Sequence, residues 1–321
     1  MTQVTNNYLR AKLQRMIDNW SNHHTDITST TIERYSLSMQ WLVWIGIFSI
    51  CFFFAQLISS VIIISYYGSV DIKHIASQPD NLNALRYSQM LATIFSFFLP
   101  AIIFSRLKDK KFGRYEHVDK GFPFIYIVII SLMLVAIYPL IDFTFYINKW
   151  MPWSNWYASF QDDYKDIVKG LLQNDHIFIF VLNFITVALL PAICEEWIFR
   201  GTLQRLLSEK MNIHIAVFLA SFFFSFIHFE FSGFLPRIVL GVFLGYLYYY
   251  SGSLWANIFA HAANNGAQVI FMYLNYKGIY KINIDQPELP KTWELIVYTA
   301  IFALLWYWFY RLTQKKKVVL L

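Results

Sequence analysis

The chain has 321 residues, 57% of them hydrophobic and 14% charged, with a net charge of +6 and a mean hydropathy of +0.43. Soluble domains carry about 25% charged residues, so this composition, spread along the whole length, excludes a soluble domain of useful size. The basic residues gather in short loops and at the ends, which membrane topology explains and which calls for no nucleic-acid partner.

In chain order, residues 1–40 form an N-terminal segment that contains "YLRAKLQRMIDNW". There Leu9, Leu13, Met16, Ile17 and Trp20 fall at helical spacing among charged residues, the pattern of a short helix lying on a membrane face. A disordered basic tail is the alternative. The first strongly apolar stretch begins only at Trp41, a position suited to a first span rather than a cleavable signal. Runs of about 20 apolar residues then occur near 41–66, 86–105, 122–141, 177–200, 213–232, 235–250, 254–274 and 292–310. Pro191 and Pro236 interrupt the fourth and sixth of these. The expected fold is an all-α polytopic membrane protein of about eight transmembrane helices. Residues 41–310 form its single membrane domain and 311–321 a basic tail. The clusters "RLKDKKFGR" at 106–114 and "RLTQKKK" at 311–317 place both termini in the cytoplasm. The outer loop, 142–175, then rests its tryptophans at the headgroups. Cys51 and Cys194 both lie in apolar runs, so no disulfide framework is indicated.

Ionisable groups inside such spans are costly and normally face a partner or a wet cavity. "LLPAICEEWIFRG" (189–201) carries Glu195, Glu196 and Arg200; "FFFSFIHFE" carries His228; "IFAHAANNG" carries His261, Asn264 and Asn265. Glu196 and Arg200 are four apart and can pair on one helix face. Glu195 points about 100° away and has no such partner. His261 and Asn265 share a face, and Phe224 lies one turn before His228, as an apolar wall. If the fourth helix continues through Leu203, Leu206 and Leu207, Glu195 rises to about the level of His228. The other histidines, His23, His24, His74, His117, His176 and His214, lie in tails, loops or span edges and receive no role. Glu230 marks the outer edge of the fifth span.

A buried carboxylate beside two imidazoles and an amide can activate water and hold an oxyanion. The same Glu195, His228 and His261 could instead hold zinc and lower the pKa of its water. The zincin pattern HExxH is absent, as is GxSxG. Each group also has a bland reading: an ion-pair network at a helix end, a buried hydrogen-bonding histidine, an amide that glues helices. Two rival functions stay open, a proton-coupled transporter and a catalytically inactive immunity or scaffold protein that binds a partner in the membrane.

"EEWIFR" (195–200), "FSFIH" (224–228) and "HAANN" (261–265), in this order, resemble the three motifs of the CPBP (CAAX protease and bacteriocin-processing, or Abi) family, Rce1-like members included. The resemblance covers 177–275. It implies an α-helical intramembrane endopeptidase in which Glu195 activates water with His228 as partner, and His261 and Asn265 line the site as oxyanion holders or ligands. Glu196 with Arg200 would fix the catalytic helix, and Phe224 would wall the site. It implies membrane-associated or lipidated peptide substrates. It leaves open zinc against a metal-free glutamate mechanism, the oligomeric state, and the substrate; CAAX cleavage itself is not expected from these residues. An integral membrane location follows, the plasma (inner) membrane if the source is bacterial.

Overall fold

Long apolar runs have no water to satisfy their backbone, so they close their hydrogen bonds internally as helices. The computed structural model describes residues 32–69, 75, 82–151, 167–168, 170–172, 176–279 and 289–319. Among them eight helical segments follow the eight apolar runs: α1 Leu37–Tyr67, α2 Asn83–Lys108, α3 Phe124–Asn148, α4 Ile177–Ser208, α5 Ile213–Phe226, α6 Phe234–Ser251, α7 Leu254–Tyr276 and α8 Thr292–Val319. The fold is essentially all-α. Five of these helices, α1, α2, α3, α4 and α8, are long and apolar enough to cross a membrane. The expected interfacial helix at residues 9–20, along with His23, His24, His74 and much of the outer loop, lies outside the described residues.

Helices α4 to α7 form the inner part of the bundle, with α4 packed against α2, α5 and α7, and α3 and α8 packed together beside α6. α1 and α8 are outermost. Few of their residues are buried, and Phe53, Val61, Ile296 and Leu304 stand exposed on them. Such apolar surface is stable against lipid tails rather than water.

Two of the prolines, Pro100 and Pro191, sit where widened turns absorb them. Residues 94–98 and 184–189 adopt the i→i+5 hydrogen-bonding pattern, and Pro100 and Pro191 fall just after them. Proline has no N–H for the carbonyl four residues earlier. For Pro191 that carbonyl belongs to Val187, and it accepts a hydrogen bond from Asn265 Nδ2 of α7 at 3.3 Å. Pro236 does not interrupt its helix. It stands in the first turn of α6, where the missing donor has no intrahelical partner to lose.

The fifth helix is shorter than expected. It ends at Phe226 instead of near residue 232, and His228 occupies the turn beyond it. Phe229 adopts φ +49°, a left-handed conformation that no helix can continue through. Glu230 accordingly is not a helical residue. Its carboxylate accepts from the backbone N–H of Ser232 (2.9 Å) and Gly233 (3.1 Å) and so organises the start of α6.

Between α5 and α6 the close approach is set by "GVFLG". A Cβ on Gly241 would lie 2.8 Å from Ser221 Cβ, and one on Gly245 would lie 2.8 Å from Val217 Cγ1. Small residues four apart allow this backbone contact. They also bare two carbonyls on α6, those of Gly241 and Gly245, to side chains of α4.

The loop between α2 and α3 folds back onto α4 and α6. Tyr248 Oη donates to the Glu116 carbonyl at 3.1 Å, Ser105 hydrogen-bonds the Glu116 side chain, and Glu116 packs on Gly201. Next to it, His117 holds φ +59°. Burial, then the charges of Arg205 and Lys120, push its pKa down from 6.5 to about 4. Between pH about 6.5 and 4 the unfolded chain therefore binds the proton and the fold does not. Stability from this group is complete above pH 6.5 and is lost as the pH falls towards 4. His117→Asn, which tolerates the left-handed conformation, should flatten the pH dependence of the melting temperature in this window by roughly one proton equivalent. An unchanged slope in detergent-solubilised protein would contradict the assignment.

Candidate active site

The site grows from one turn of α4. Glu196 and Arg200 are four residues apart on this helix and both are fully buried. Arg200 Nη1 donates to Glu196 Oε1 at 2.7 Å. A buried ion pair holds only when its remaining donors and acceptors are met. Arg200 Nη2 donates to the Gly241 carbonyl at 3.1 Å, and one turn later Gln204 Nε2 donates to the Gly245 carbonyl at 3.0 Å. The glycine ridge of α6 thus faces two polar side chains of α4 at matching spacing. The guanidinium also lies over the Phe224 ring, 4.6 Å from its centroid, within the range of a cation–π contact.

Glu196 is in turn bound from α7. His261 Nδ1 donates to Glu196 Oε1 at 2.8 Å, and Asn257 Nδ2 donates to Oε2 at 3.2 Å and to the Leu244 carbonyl at 2.6 Å. An ionised carboxylate accepts only, so Nδ1 carries the proton in this contact and Nε2 of His261 is the ring's other face. That Nε2 lies 3.8 Å from Glu195 Oε2, beyond hydrogen-bond length. The Glu195 carboxylate, 8% exposed as a residue, makes no hydrogen bond among the described residues.

Phe224 gathers the imidazoles. His228 stands edge-on to it at 5.2 Å between centroids, and His261 edge-on at 5.7 Å. His228 Nδ1 donates to the Phe224 carbonyl at 2.7 Å, which leaves Nε2 as an acceptor in the neutral ring. His228 as a residue is exposed. Glu195, Glu196, Arg200, Phe224, His228 and His261 therefore occupy one neighbourhood across α4, α7 and the end of α5.

Asn265 stands a little apart. Its Nδ2 is tied to Val187 and its Oδ1 accepts from Asn264 at 3.1 Å. Val187 precedes Glu195 by eight residues, about 12 Å along α4. Asn265 thus lines the helix seam one turn beyond His261 and is not hydrogen-bonded to the Glu195–His261 pair.

Asn257 belongs to the site although none of the three sequence motifs includes it. It is fully buried and bridges α7 to both α4 and α6. The sequence does carry a signal for it: Asn257, His261 and Asn265 repeat at intervals of four, one face of a helix. Asn257→Ala would leave Glu196 Oε2 without its donor, costing about 1–3 kcal/mol. The expected result is a lower melting temperature of the purified protein, with Asn257→Asp at least as harmful because it opposes Glu196.

Zinc does not fit this arrangement. Among the described residues no three His, Cys, Asp or Glu side chains converge as a group that could hold a metal ion.

The fold and site define a helical membrane protein with a buried acid–imidazole cluster. Residues 177–267 match the family described as type II CAAX prenyl endopeptidase Rce1-like. The match covers 91 of the 321 residues, from α4 through most of α7, and is a likeness of this segment to that family. No curated protein and no solved structure matches the chain.

Proposed function

We propose that the protein is an intramembrane endopeptidase that hydrolyses peptide bonds of membrane-associated or lipidated substrates. The observation that carries this reading is the contrast between the two adjacent carboxylates. Glu196 is committed to Arg200, His261 and Asn257, while Glu195 makes no hydrogen bond among the described residues and faces the accessible side of the cluster. Glu195 takes a proton from water as the water oxygen bonds to the scissile carbonyl carbon. The same proton passes to the amide nitrogen as the C–N bond breaks. His228 Nε2 accepts from the water and aligns it. His261 and the second N–H of Asn265 line the carbonyl side.

In this reading all eight helices span, which leaves both termini on one face. The basic residues at 106–114 and 311–317 assign that face to the cytoplasm. The catalytic core is 177–275 within a membrane domain of 41–310, in the plasma membrane if the source is bacterial. Membranes from cells expressing wild type and Glu195→Gln, compared by mass spectrometry of new protein termini, test the activity on whichever substrates those membranes hold. Termini specific to the wild type support it; identical sets overturn it.

A further inference from the structure

The turn between α5 and α6 is built more firmly than a connection requires. Asn148, 1% exposed at the end of α3, donates through Nδ2 to the carbonyls of Phe231 (2.7 Å) and Ser232 (2.8 Å) and accepts from Leu235 N–H at 3.1 Å. Glu230, held by the turn, receives Arg237 Nη1 at 2.5 Å. Gly233 leaves room for the pair, since a Cβ there would lie 2.7 Å from Arg237 Nη1. Arg237 is thereby fixed on the first turns of α6, with its side chain 21% exposed.

The remaining edge of that guanidinium is unused. Among the described residues, Nε and Nη2 are both buried and make no hydrogen bond. These two nitrogens share one edge of the planar group and present parallel N–H bonds, the geometry that grips a carboxylate with two hydrogen bonds. Buried donors left unmet are costly and rare, so this edge calls for an acceptor that the described residues do not supply. Arg237 bonds Glu230, two residues beyond His228 in the same turn, which places the fork on the His228 side of the site. With Glu230 already opposing it, the site carries little net positive charge. It suits a singly charged carboxylate better than a phosphate.

We propose that the Nε–Nη2 edge of Arg237 is a subsite that recognises a carboxylate of the substrate, from an acidic side chain or a chain terminus, and so sets where the chain is cut. This subsite rests on the peptidase reading, and the test separates the two. The full chain carrying Glu195→Gln, in phosphatidylcholine nanodiscs, is titrated into one dansylated apolar hexapeptide prepared in three forms. One is capped and uncharged, one has a free C-terminus, and one is capped with a single Glu. Anisotropy should show one or both carboxylate forms binding roughly tenfold or more tighter than the uncharged form, and the form preferred identifies the source.

Arg237→Gln and Arg237→Lys should each abolish that preference, because Lys keeps the charge and loses the fork. If Arg237→Gln fails to fold by thermal melting, Arg237→Lys carries the comparison. Three forms that bind alike or not at all, or a preference that survives in Arg237→Lys, overturn the subsite. So does a preference that vanishes when phosphatidylglycerol replaces part of the phosphatidylcholine, which would assign the fork to a lipid headgroup. Wild-type protein that binds the peptides through Arg237 and leaves them and cellular substrates uncut would sink the peptidase reading and leave the subsite standing.

Discussion

Glu195→Gln should lower kcat by about 10²- to 10⁴-fold, the usual contribution of a positioned general base, while KM and folded yield change little. Gln keeps the shape and the neighbours of Glu but cannot accept the proton. Because Glu195 holds no hydrogen bond among the described residues, its replacement removes no structural contact there. The neighbouring substitution provides the contrast. Glu196→Gln should damage the protein through folding, since Glu196 receives hydrogen bonds from three side chains. Steady-state cleavage by purified variants, read alongside melting curves, distinguishes the two carboxylates. Full activity in Glu195→Gln removes the glutamate mechanism.

Arg200→Ala should be the most destabilising single change at the site. Arg200 is the largest fully buried side chain among the described residues, and its removal leaves the charge of Glu196 in a low-dielectric bundle. Breaking one partner of a buried pair costs about 3–5 kcal/mol. The loss extends further, because the Gly241 carbonyl loses its side-chain donor from α4 and Phe224 loses the cation above its ring. A large drop in melting temperature and in folded yield is expected. The double variant Glu196→Gln/Arg200→Met should recover part of it, as neutralising both partners does elsewhere. If Arg200→Ala melts like the wild type, the pair is not what holds α4 to α6.

Much of this arrangement is legible in the sequence, for identifiable reasons. Apolar runs of span length leave the backbone little choice but helix, so the positions of the eight segments can be read directly. Glu196 and Arg200 sit at an interval at which two side chains on one helix meet, and the structure has them 2.7 Å apart. His261 belongs with the carboxylates on cost grounds, since an unpartnered imidazole in hydrocarbon is rare.

Other features depend on contacts that no local pattern encodes. The fifth helix reads as continuous to residue 232 because Phe229 and Phe231 prolong the apolar run; the chain turns left-handed at Phe229, and Asn148, more than 80 residues earlier, holds the carbonyls of Phe231 and Ser232 that follow. Pro191 reads as an interruption, and the carbonyl that it leaves open is taken by Asn265 of another helix. Arg237, at the start of an apolar helix, reads as a boundary charge. Its unused edge is visible only once Glu230 is seen holding the other side.

Which segments are helices, that they belong in a membrane, and which polar residues cannot be left alone there are all consequences of solvation. Each residue type carries its own transfer cost, so the order of residues along the chain was enough to establish them. The spacing of Glu196 and Arg200 already separated the two carboxylates; the packed helices added His261 and Asn257 as further partners of Glu196 and the unmet Nε and Nη2 of Arg237. Roles of that kind depend on which donors and acceptors are already taken, and that is settled by neighbours from distant parts of the chain.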